Sequence, residues 1–402
     1  MNQIYSDKSK CCGCGACVAA CPKNAIYMEN DIGGSPYPVI DTEICIDCKR
    51  CVEVCQYHQQ ISHSQVIRSY ALQNIDESQL NRSSSGGAFS ALSAQFLADG
   101  GIVCGAVEFL DIESIKVEHR LIEHIEDLPF VQGSKYVQSD LTKVFRIMRE
   151  ALSVGKKILF SGTPCQVAAV RSLFKKYEEQ LFCVDLICHG TPGQKLFTDY
   201  LNYLGDKNGG KVIKYTFRDK ELGWNALQGH CLVEKADGST YRLSTTRNDS
   251  YYGLFMDGEI YRDSCYVCPY AEPNRIGDIT VGDYWGIDKQ NPELLTVNGG
   301  PFEKQKGISC LLVNTDKGEK LLQRAKERLL IKEVALEGVM ARNTQLRCPA
   351  THTKVRDTVI SAYGAKGYDG VEHVYKSYYI RKKSKNAIKI ILIKIKRLLG
   401  IK

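Results

Sequence analysis

The chain has 402 residues, 18 of them cysteine, and a formal net charge of +7 at neutral pH. This length is too great for one small domain and fits two or three. The last 22 residues hold nine Lys and Arg and no acid, which leaves the other 380 residues with a formal charge of −2. The body of the chain is nearly neutral, so we expect no nucleic-acid partner for it.

Cysteine usage indicates a reducing compartment. Residues Met1–Lys10 are polar and show no secretory pattern, and no apolar run reaches the length of a membrane span. Many of the cysteines are only three or four positions apart, which makes them poor disulfide partners and good metal ligands. We therefore expect a cytoplasmic protein.

Eight of the cysteines form two runs that share one spacing, C-x2-C-x2-C-x3-C. The runs are Cys11, Cys14, Cys17 and Cys21, and Cys45, Cys48, Cys51 and Cys55. This spacing is typical of bacterial two-cluster ferredoxins, in which the fourth cysteine of each run binds the other cluster. We predict a ferredoxin-like domain over residues 1–62 with two 4Fe-4S clusters. One is assigned to Cys11, Cys14, Cys17 and Cys55, the other to Cys21, Cys45, Cys48 and Cys51.

Some details of this segment leave alternatives open. Two zinc sites would also use eight cysteines, although zinc sites usually pair distant C-x2-C units. Gln56 stands where the pattern has proline, and Cys12 is a ninth thiol that we interpret as a neighbour, not a ligand. Gly33, Gly34 and Pro36 indicate a hairpin over Ile26–Ile40.

Beyond residue 66 a Ser/Gly-rich turn precedes a helix. The turn is Ser83–Gly87, the predicted helix is Ala88–Leu97, and a predicted strand over Ile102–Phe109 follows. Backbone N–H groups and the positive end of a helix dipole suit a phosphate. A plain helix cap uses the same residue types, so the turn alone does not decide between the two.

Two strand–loop–helix units follow. The predicted strands are Lys157–Phe160 and Leu181–Ile187, and the predicted helices are Val167–Lys176 and Gln194–Leu204. This alternation predicts an α/β domain with a largely parallel sheet. Ligands of such sheets bind beyond the carboxyl ends of the strands. The two loops place Cys165 and Cys188 at that edge, where we expect them to converge.

Cys265 and Cys268 form a further C-x2-C pair. With Cys165 and Cys188 they supply four thiolates, which suffices for a third 4Fe-4S cluster. Spacing alone leaves open that the loop cysteines are buried thiols and that the pair binds zinc or nothing. The remaining cysteines are interpreted as structural, namely Cys104, Cys183, Cys231, Cys310 and Cys348.

Other polar residues near these loops are weaker candidates. His189 beside Cys188 can form a nucleophile pair, but no third orienting group is recognisable, and a histidine near a cofactor is the favoured interpretation. Asp278 and Asp283 can act as a carboxylate pair, or Asp278 can cap a loop. Lys135 can neutralise a phosphate or the charge that develops on a flavin, or it is a solvated lysine. No catalytic residue is assigned.

Several of these segments, taken in order, resemble a known family. They are Ser85–Ser90, Gly133–Val137, Gly162–Gln166, Cys188–Gly190, Cys265–Pro269 and Asp278–Asp283. Over about residues 1–315 the chain resembles the beta subunit of coenzyme F-420 hydrogenase/dehydrogenase, whose members are iron–sulfur flavoproteins that bind FAD. The resemblance implies that the third cluster is bound by Cys165, Cys188, Cys265 and Cys268. It implies flavin contacts from Ser85, Gly86, Gly87, Lys135 and Tyr136.

The resemblance also bears on the substrate. Members of the family reduce different substrates, and many bacterial relatives are associated with cell-surface polysaccharide synthesis. This chain differs from the hydrogenase protein in carrying its own ferredoxin domain, and it shows no feature that identifies a deazaflavin site.

The C-terminal segment is predicted to be helical and basic. A helix is predicted over Gly318–Leu330, and Arg381–Lys402 reads as a basic helix. Its apolar face would carry Ile388, Ile391, Leu392, Ile395, Leu398 and Leu399. Such a helix can lie on an anionic membrane surface, or it can pack on the body of the protein.

Together these features predict a ferredoxin-like domain, an α/β flavin domain in two parts (66–150 and 151–345) and a basic helical tail (346–402). The expected function is an FAD- and iron–sulfur-dependent oxidoreductase. Its partners would be an electron donor (ferredoxin, flavodoxin or a redox enzyme) and a small-molecule acceptor. An electron-transfer subunit that serves a partner enzyme, and a non-redox zinc protein, are the alternatives.

Overall fold

The computed structural model describes residues 3–59, 61–112 and 114–398, with side chains up to Lys382. The described strands are β1 Ile26–Asn30, β2 Pro36–Ile40, β3 Arg68–Asn74, β4 Ile102–Leu110, β5 Ile115–Ile122, β6 Ile158–Gly162, β7 Leu181–Leu186, β8 Gly210–Thr216, β9 Gly229–Lys235, β10 Thr240–Thr245, β11 Ile279–Asp283, β12 Ser309–Val313 and β13 Leu329–Glu333.

The described helices complete the order of elements. They are α1 Ala16–Ala20, α2 Arg50–Glu53, α3 Glu77–Arg82, α4 Ala88–Ala98, α5 Leu128–Val131, α6 Val144–Ser153, α7 Pro164–Leu173, α8 Gln194–Lys207, α9 Ser250–Asp257, α10 Ile287–Gln290, α11 Asp316–Ala325, α12 Leu336–Met340 and α13 Lys354–Leu398. The last of these is broken at Lys366 and Gly367, whose backbone angles are not helical.

The N-terminal segment contains the predicted hairpin. β1 and β2 pair antiparallel with Ile26 opposite Ile40, which confirms that prediction. The Asp31 carboxylate accepts hydrogen bonds from the backbone N–H groups of Gly33 and Ser35 at 2.9 and 3.0 Å, which closes the turn. The turn needs glycine at position 34, where φ is +73° and a Cβ would lie 2.8 Å from the Leu196 backbone nitrogen.

An eight-stranded sheet forms the body, in the order β13-β3-β12-β11-β7-β6-β4-β5. The four central strands β11, β7, β6 and β4 run parallel, and the outer strands pair antiparallel. The predicted α/β class is confirmed, with the parallel part confined to the centre of a mixed sheet. The parallel strands place the ends of β6, β7 and β11 at one edge.

Two apolar layers cover the faces of this sheet, because successive strand residues point to opposite sides. In β6, Leu159 lies in the layer covered by α4 and α11, whereas Ile158 and Phe160 lie in the layer covered by α6 and α7. Ala16 of α1 joins the second layer, so the N-terminal segment packs on this face. Burial on both faces explains why the central strands read as nearly continuous apolar runs.

Two predicted helices have different bounds in the structure. The helix predicted over Val167–Lys176 begins at Pro164, since proline suits the first helical position and the Gln166 side chain accepts from the Thr163 backbone N–H at 3.0 Å. Cys165 therefore lies in the first turn of α7 and not in a loop. The helix predicted over Gly318–Leu330 is wrong at its end, because Leu329–Glu333 pairs with β3 as an edge strand.

A smaller sheet, in the order β10-β9-β8, packs with α8, α9 and the first part of α13 around a tyrosine-rich core. The helical tail is present, since α13 continues to Leu398. The predicted apolar face from Ile388 to Leu399 lies outside the described side chains. Within the described part of the chain, no helix is both long and apolar enough to cross a membrane.

Candidate functional site

The eight N-terminal cysteines gather into two sets that cross between the two runs. Cys11, Cys14, Cys17 and Cys55 form the first set, in which burial raises the pKa of Cys17 and the other three thiols raise it further. The second set is Cys21, Cys45, Cys48 and Cys51, and these four thiols line one cavity. Burial likewise raises the pKa of Cys51, with Cys21 and Cys45 adding to the effect.

The third set of cysteines, Cys165, Cys188, Cys265 and Cys268, lines a separate cavity at the edge of the large sheet. Cys165 comes from the first turn of α7, Cys188 follows β7, and the other two lie in the turn region before β11. Burial raises the pKa of Cys188, and the remaining three thiols raise it further. The predicted convergence of Cys165 and Cys188 is therefore found in the structure.

The number of thiols in each set matches a 4Fe-4S cluster. The four thiolates of a 4Fe-4S cluster each bind a different iron, so they lie farther apart than the ligands of one ion. Each set supplies the four thiols that such a cluster requires.

A large cavity of about 450 Å³ lies beside the third set. It opens at the carboxyl ends of β6, β7 and β11, where α/β sheets bind ligands. Its volume falls in the range of small-molecule and cofactor sites. Cys165 and Cys188 line this cavity as well as that of the third set, and so does Cys12. A ligand in the large cavity would therefore sit against the third set.

Most of the predicted flavin contacts line this cavity, namely Ser85, Gly87, Lys135 and Tyr136. Tyr136 stacks on Phe255 with ring centroids 4.3 Å apart. The Lys135 ammonium donates to the Gln132 carbonyl at 2.7 Å, and burial lowers its pKa to about 8. Lys135 is therefore a hydrogen-bonded cation in the wall of the large cavity, not a freely solvated side chain.

Gly86 is placed differently from its neighbours. A Cβ on this residue would lie 2.4 Å from both the Leu72 carbonyl oxygen and the Ser309 backbone nitrogen. Gly86 thus packs against β3 and β12, where only glycine fits.

Helix α4 begins at the cavity wall. Gly87, with φ +77°, precedes its first turn, and no side chain in the described residues caps that end of the helix. Ala88, Phe89 and Ser90 of the first turn line the cavity. The structure therefore places an uncapped eleven-residue helix where the sequence predicted either a phosphate site or a plain cap.

Buried polar atoms without partners lie on residues that line the same cavity. In the described part of the chain, His119 Nδ1, Gln132 Oε1 and Arg218 Nε have no hydrogen-bond partner. Buried polar groups are normally satisfied, so such atoms indicate a ligand. His119 Nε2 lies 2.9 Å from the Ser161 carbonyl oxygen, and burial lowers the pKa of this histidine to about 4. Because a carbonyl only accepts, Nε2 carries the proton and Nδ1 is left as an acceptor.

Sequence reasoning missed His119, Gln132 and Arg218, as well as the aromatic pair beside them. Trp224 and Trp285 stack with ring centroids 4.6 Å apart, and Arg218 lies over the Trp285 ring at 5.6 Å. These residues come from separate strands and loops, so no spacing in the chain marks them. Their types alone, isolated aromatic and basic residues, do not indicate a site.

Two further residues connect the first and third sets. The Cys12 thiol lies beside those of Cys14 and Cys165, and it accepts from the Gln56 side-chain amide at 2.6 Å. The Gln56 carbonyl in turn accepts from the Tyr270 hydroxyl. The glutamine that departs from the ferredoxin pattern therefore ties the N-terminal segment to the body of the protein.

The proposed carboxylate pair is wrong. Asp278 precedes β11 and is buried in ion pairs with Arg171 and Lys317, whereas Asp283 ends the strand and accepts from Arg218 and Trp224. They lie at opposite ends of β11, about 16 Å apart at the usual rise per residue. Only Asp283 lines the cavity.

The structure also shows where the remaining residues singled out from the sequence lie. His189 lines both the large cavity and that of the third set, and burial lowers its pKa. Four of the five cysteines interpreted as structural are buried within strands, namely Cys104, Cys183, Cys231 and Cys310. Cys348 is exposed.

Comparisons with known proteins identify two regions of the chain. Residues 155–338 match the family described as the C terminus of the coenzyme F420 hydrogenase/dehydrogenase beta subunit, and residues 10–58 match the 4Fe-4S dicluster domain. An uncharacterized protein of Methanocaldococcus jannaschii is 25% identical over 365 residues, which covers 79% of this chain and 87% of that protein.

Two further proteins are similar. One subunit of the F(420)H(2) dehydrogenase of Methanosarcina mazei is 25% identical over 337 residues, which covers 80% of this chain and 84% of that protein. A chain in a structure of the F420-reducing NiFe hydrogenase complex from Methanosarcina barkeri is 17% identical with a TM-score of 0.46, over 71% of this chain and 88% of that one. The chain thus joins an N-terminal 4Fe-4S dicluster domain at residues 10–58 to a region, residues 155–338, that matches the C terminus of the coenzyme F420 hydrogenase/dehydrogenase beta subunit.

Proposed function

We propose that the chain is an FAD-dependent iron–sulfur oxidoreductase that passes electrons from its N-terminal clusters through a third 4Fe-4S cluster to FAD and a small-molecule acceptor. One observation carries this proposal. Cys12 lies against thiols of both the first and the third set, and Cys165 and Cys188 of the third set also line the large cavity. The first set, the third set and the cavity thus form a continuous series.

Each cysteine set would hold one cluster, and the large cavity would hold the flavin. Bound clusters carry single electrons, and a bound flavin converts between one- and two-electron transfer. Tyr57 and Tyr270 line the cavity of the third set and help to exclude water from it. The Cys48 thiol of the second set is exposed, which makes that set the proposed point of contact with an electron donor.

In the large cavity, the uncapped end of α4 and the cations of Lys135 and Arg218 would bind a phosphate group. His119 Nδ1 and Gln132 Oε1 would accept hydrogen bonds from N–H groups of the bound ring. Tyr136 and Trp285 offer flat apolar faces. This mix of acceptors, cations and aromatic rings fits FAD.

The experiment is purification without oxygen, followed by assays for metal, sulfide and flavin. We expect about twelve iron and twelve acid-labile sulfide atoms per chain, together with one FAD. A colourless protein that contains zinc and no acid-labile sulfide would overturn the redox function in favour of a zinc protein.

An electron-transfer subunit that serves a separate enzyme is the second candidate function. The exposed second set favours it, and so does the relative from Methanosarcina mazei, which is named as part of a dehydrogenase. The two functions differ in what the reduced protein does alone. If candidate small molecules reoxidise its flavin without a partner protein, the oxidoreductase is supported. If none does, the electron-transfer function is supported.

The cellular setting is also proposed. We place the protein in the cytoplasm, with an acceptor from cell-surface polysaccharide synthesis as the first class to screen. The tail 381–402 would contact anionic lipid through its nine basic residues. Co-sedimentation with anionic liposomes should be lost when these residues are deleted, and unchanged binding would contradict the membrane contact.

A further inference from the structure

Arg262 is a buried cation at the junction of the N-terminal segment and the sheet, and its hydrogen-bond acceptors among the described residues are neutral. Its side chain donates to the Cys11 carbonyl at 3.0 Å, the Pro36 carbonyl at 3.2 Å and the Gln138 side-chain oxygen. The residue is only 2% exposed. Its chain neighbour Asp263 is paired with Arg356 instead. A buried charge with only neutral partners is costly, so Arg262 indicates an anion nearby.

This cation lies beside two different cysteine sets. Its guanidinium donates to the backbone carbonyl of Cys11, a member of the first set, at 3.0 Å. Its side chain also lines the cavity that holds the four cysteines of the third set. One guanidinium therefore faces both sets.

The second set has a different charge environment. Its cavity is lined by Lys23, Lys49 and Asp47, and both lysines are exposed. Water and salt screen exposed charges, whereas a buried charge is screened much less. Lys23 and Lys49 would therefore stabilise a nearby anion less than the buried Arg262 would.

We propose that Arg262 is a shared counter-cation of the first and third clusters and raises the reduction potential of both relative to the second. The inference rests on the proposed assignment of clusters to the three sets. A cluster held by four thiolates is anionic and becomes more so on reduction, and a fixed cation stabilises the reduced form. Each transfer moves one electron from an external one-electron donor and breaks no bond. Arg262 thus makes transfer from the exposed second cluster toward the cavity more favourable.

The test is a potentiometric titration of the intact, anaerobically purified protein, followed by electron paramagnetic resonance. Cys45→Ala and Cys165→Ala identify the signals of the second and third clusters by their loss. In Arg262→Gln, we expect the midpoint potentials of the first and third clusters to fall by at least about 59 mV, which is a tenfold change for one electron. The potential of the second cluster should not move. Arg262→Lys, which keeps the charge, should retain most of both potentials.

A matched pair of substitutions at Gln138 separates the effect of charge from the effect of packing. The Gln138 side-chain amide donates to the carbonyls of Cys12 and Gly13, and its oxygen accepts from Arg262. Gln138→Glu and Gln138→Leu both remove those two donated bonds, but only Glu places a negative charge on the guanidinium. We expect Glu to lower the potentials of the first and third clusters and Leu to leave them near those of the unsubstituted protein. The comparison of these two variants tests the effect of the Arg262 charge on the potentials even if Arg262→Gln loses iron.

Failures of the two proposals look different. Fewer than three reducible clusters in the unsubstituted protein would overturn the cluster assignment and, with it, this inference. Three clusters whose potentials all move together in Arg262→Gln, or do not move, would overturn the role of Arg262 alone. So would equal shifts in the Glu and Leu variants of Gln138.

Discussion

The two N-terminal cysteine sets and the third set each contain four thiols, but they are assembled in different ways. The first two sets come from one segment, between Cys11 and Cys55, in which a hairpin connects two runs of identical spacing. The third set is drawn from the start of α7, the loop after β7 and the turn region before β11. The N-terminal sets therefore depend on short loops, and the third set depends on the sheet.

This difference indicates which changes would disrupt each site. A site made by local loops keeps its ligands together when the body of the protein is disturbed. A site held by the ends of parallel strands fails when those strands are disturbed, because the ligands have no short connection to one another. The second region also contains the cavity, so its binding chemistry shares that dependence. The following substitutions test this contrast, in order of decreasing expected effect.

Cys165→Ala should remove one cluster and leave the other two. We expect iron to fall from about twelve to about eight atoms per chain, because the third set loses a ligand while the N-terminal sets are intact. Iron and sulfide assays measure this. Cys348→Ala is the matched control, since Cys348 is exposed and belongs to none of the three sets. Unchanged iron in Cys165→Ala would remove this cysteine from the ligands.

Arg275→Met should disturb the sheet edge selectively. The guanidinium pairs with the Asp185 carboxylate of β7 at 3.2 Å, and both side chains are at most 1% exposed. Removing one partner of such a pair leaves a buried charge and costs about 3–5 kcal/mol of unfolding free energy. Urea unfolding of the sheet should shift by this amount, with iron lost first from the third set.

The control for Arg275→Met is Arg146→Met, because Arg146 forms an exposed pair with Glu150. Exposed pairs contribute about 0–1 kcal/mol. Equal destabilisation by the two substitutions would contradict the structural role given to Arg275.

Acid should weaken the cavity region through His119. Burial lowers the pKa of this histidine to about 4, and the unfolded chain has an ordinary value near 6.5. Between these values the unfolded state binds more protons, so stability falls as the pH is lowered from about 7 to 4, by at most about 3 kcal/mol. His119→Leu should lose this part of the pH dependence in urea unfolding. Parallel curves for the two proteins would contradict the prediction.

Gly87→Ala should have the smallest effect on stability, about 1–2 kcal/mol from the left-handed backbone. A Cβ there would also lie 2.8 Å from the Asn74 Cβ, at the cavity wall, so FAD binding should weaken. Gly100→Ala is the control, because it has a similar φ of +79° with nothing within 4 Å of its Cβ. Flavin titration of both variants measures the difference. Equal flavin affinity would mean that the wall at Gly87 does not contact the ligand.

The sequence by itself determined the parts of the protein that depend on neighbouring residues. The two cysteine runs, the hairpin at Gly33 and Gly34, and the helix after Gly87 follow from local spacing and turn chemistry. The α/β class follows from alternating apolar segments. These features are predictable because each depends on interactions within about ten to fifteen residues.

Only the tertiary structure decided what lies around the large cavity. It brought His119 of β5, Gln132, Arg218 and Trp285 to one cavity, separated Asp278 from Asp283, and placed Arg262 beside two cysteine sets. It also made Leu329–Glu333 a strand, by pairing it with β3. These outcomes depend on which strands pair and which faces pack, and residues distant in the chain carry no local signal of that pairing.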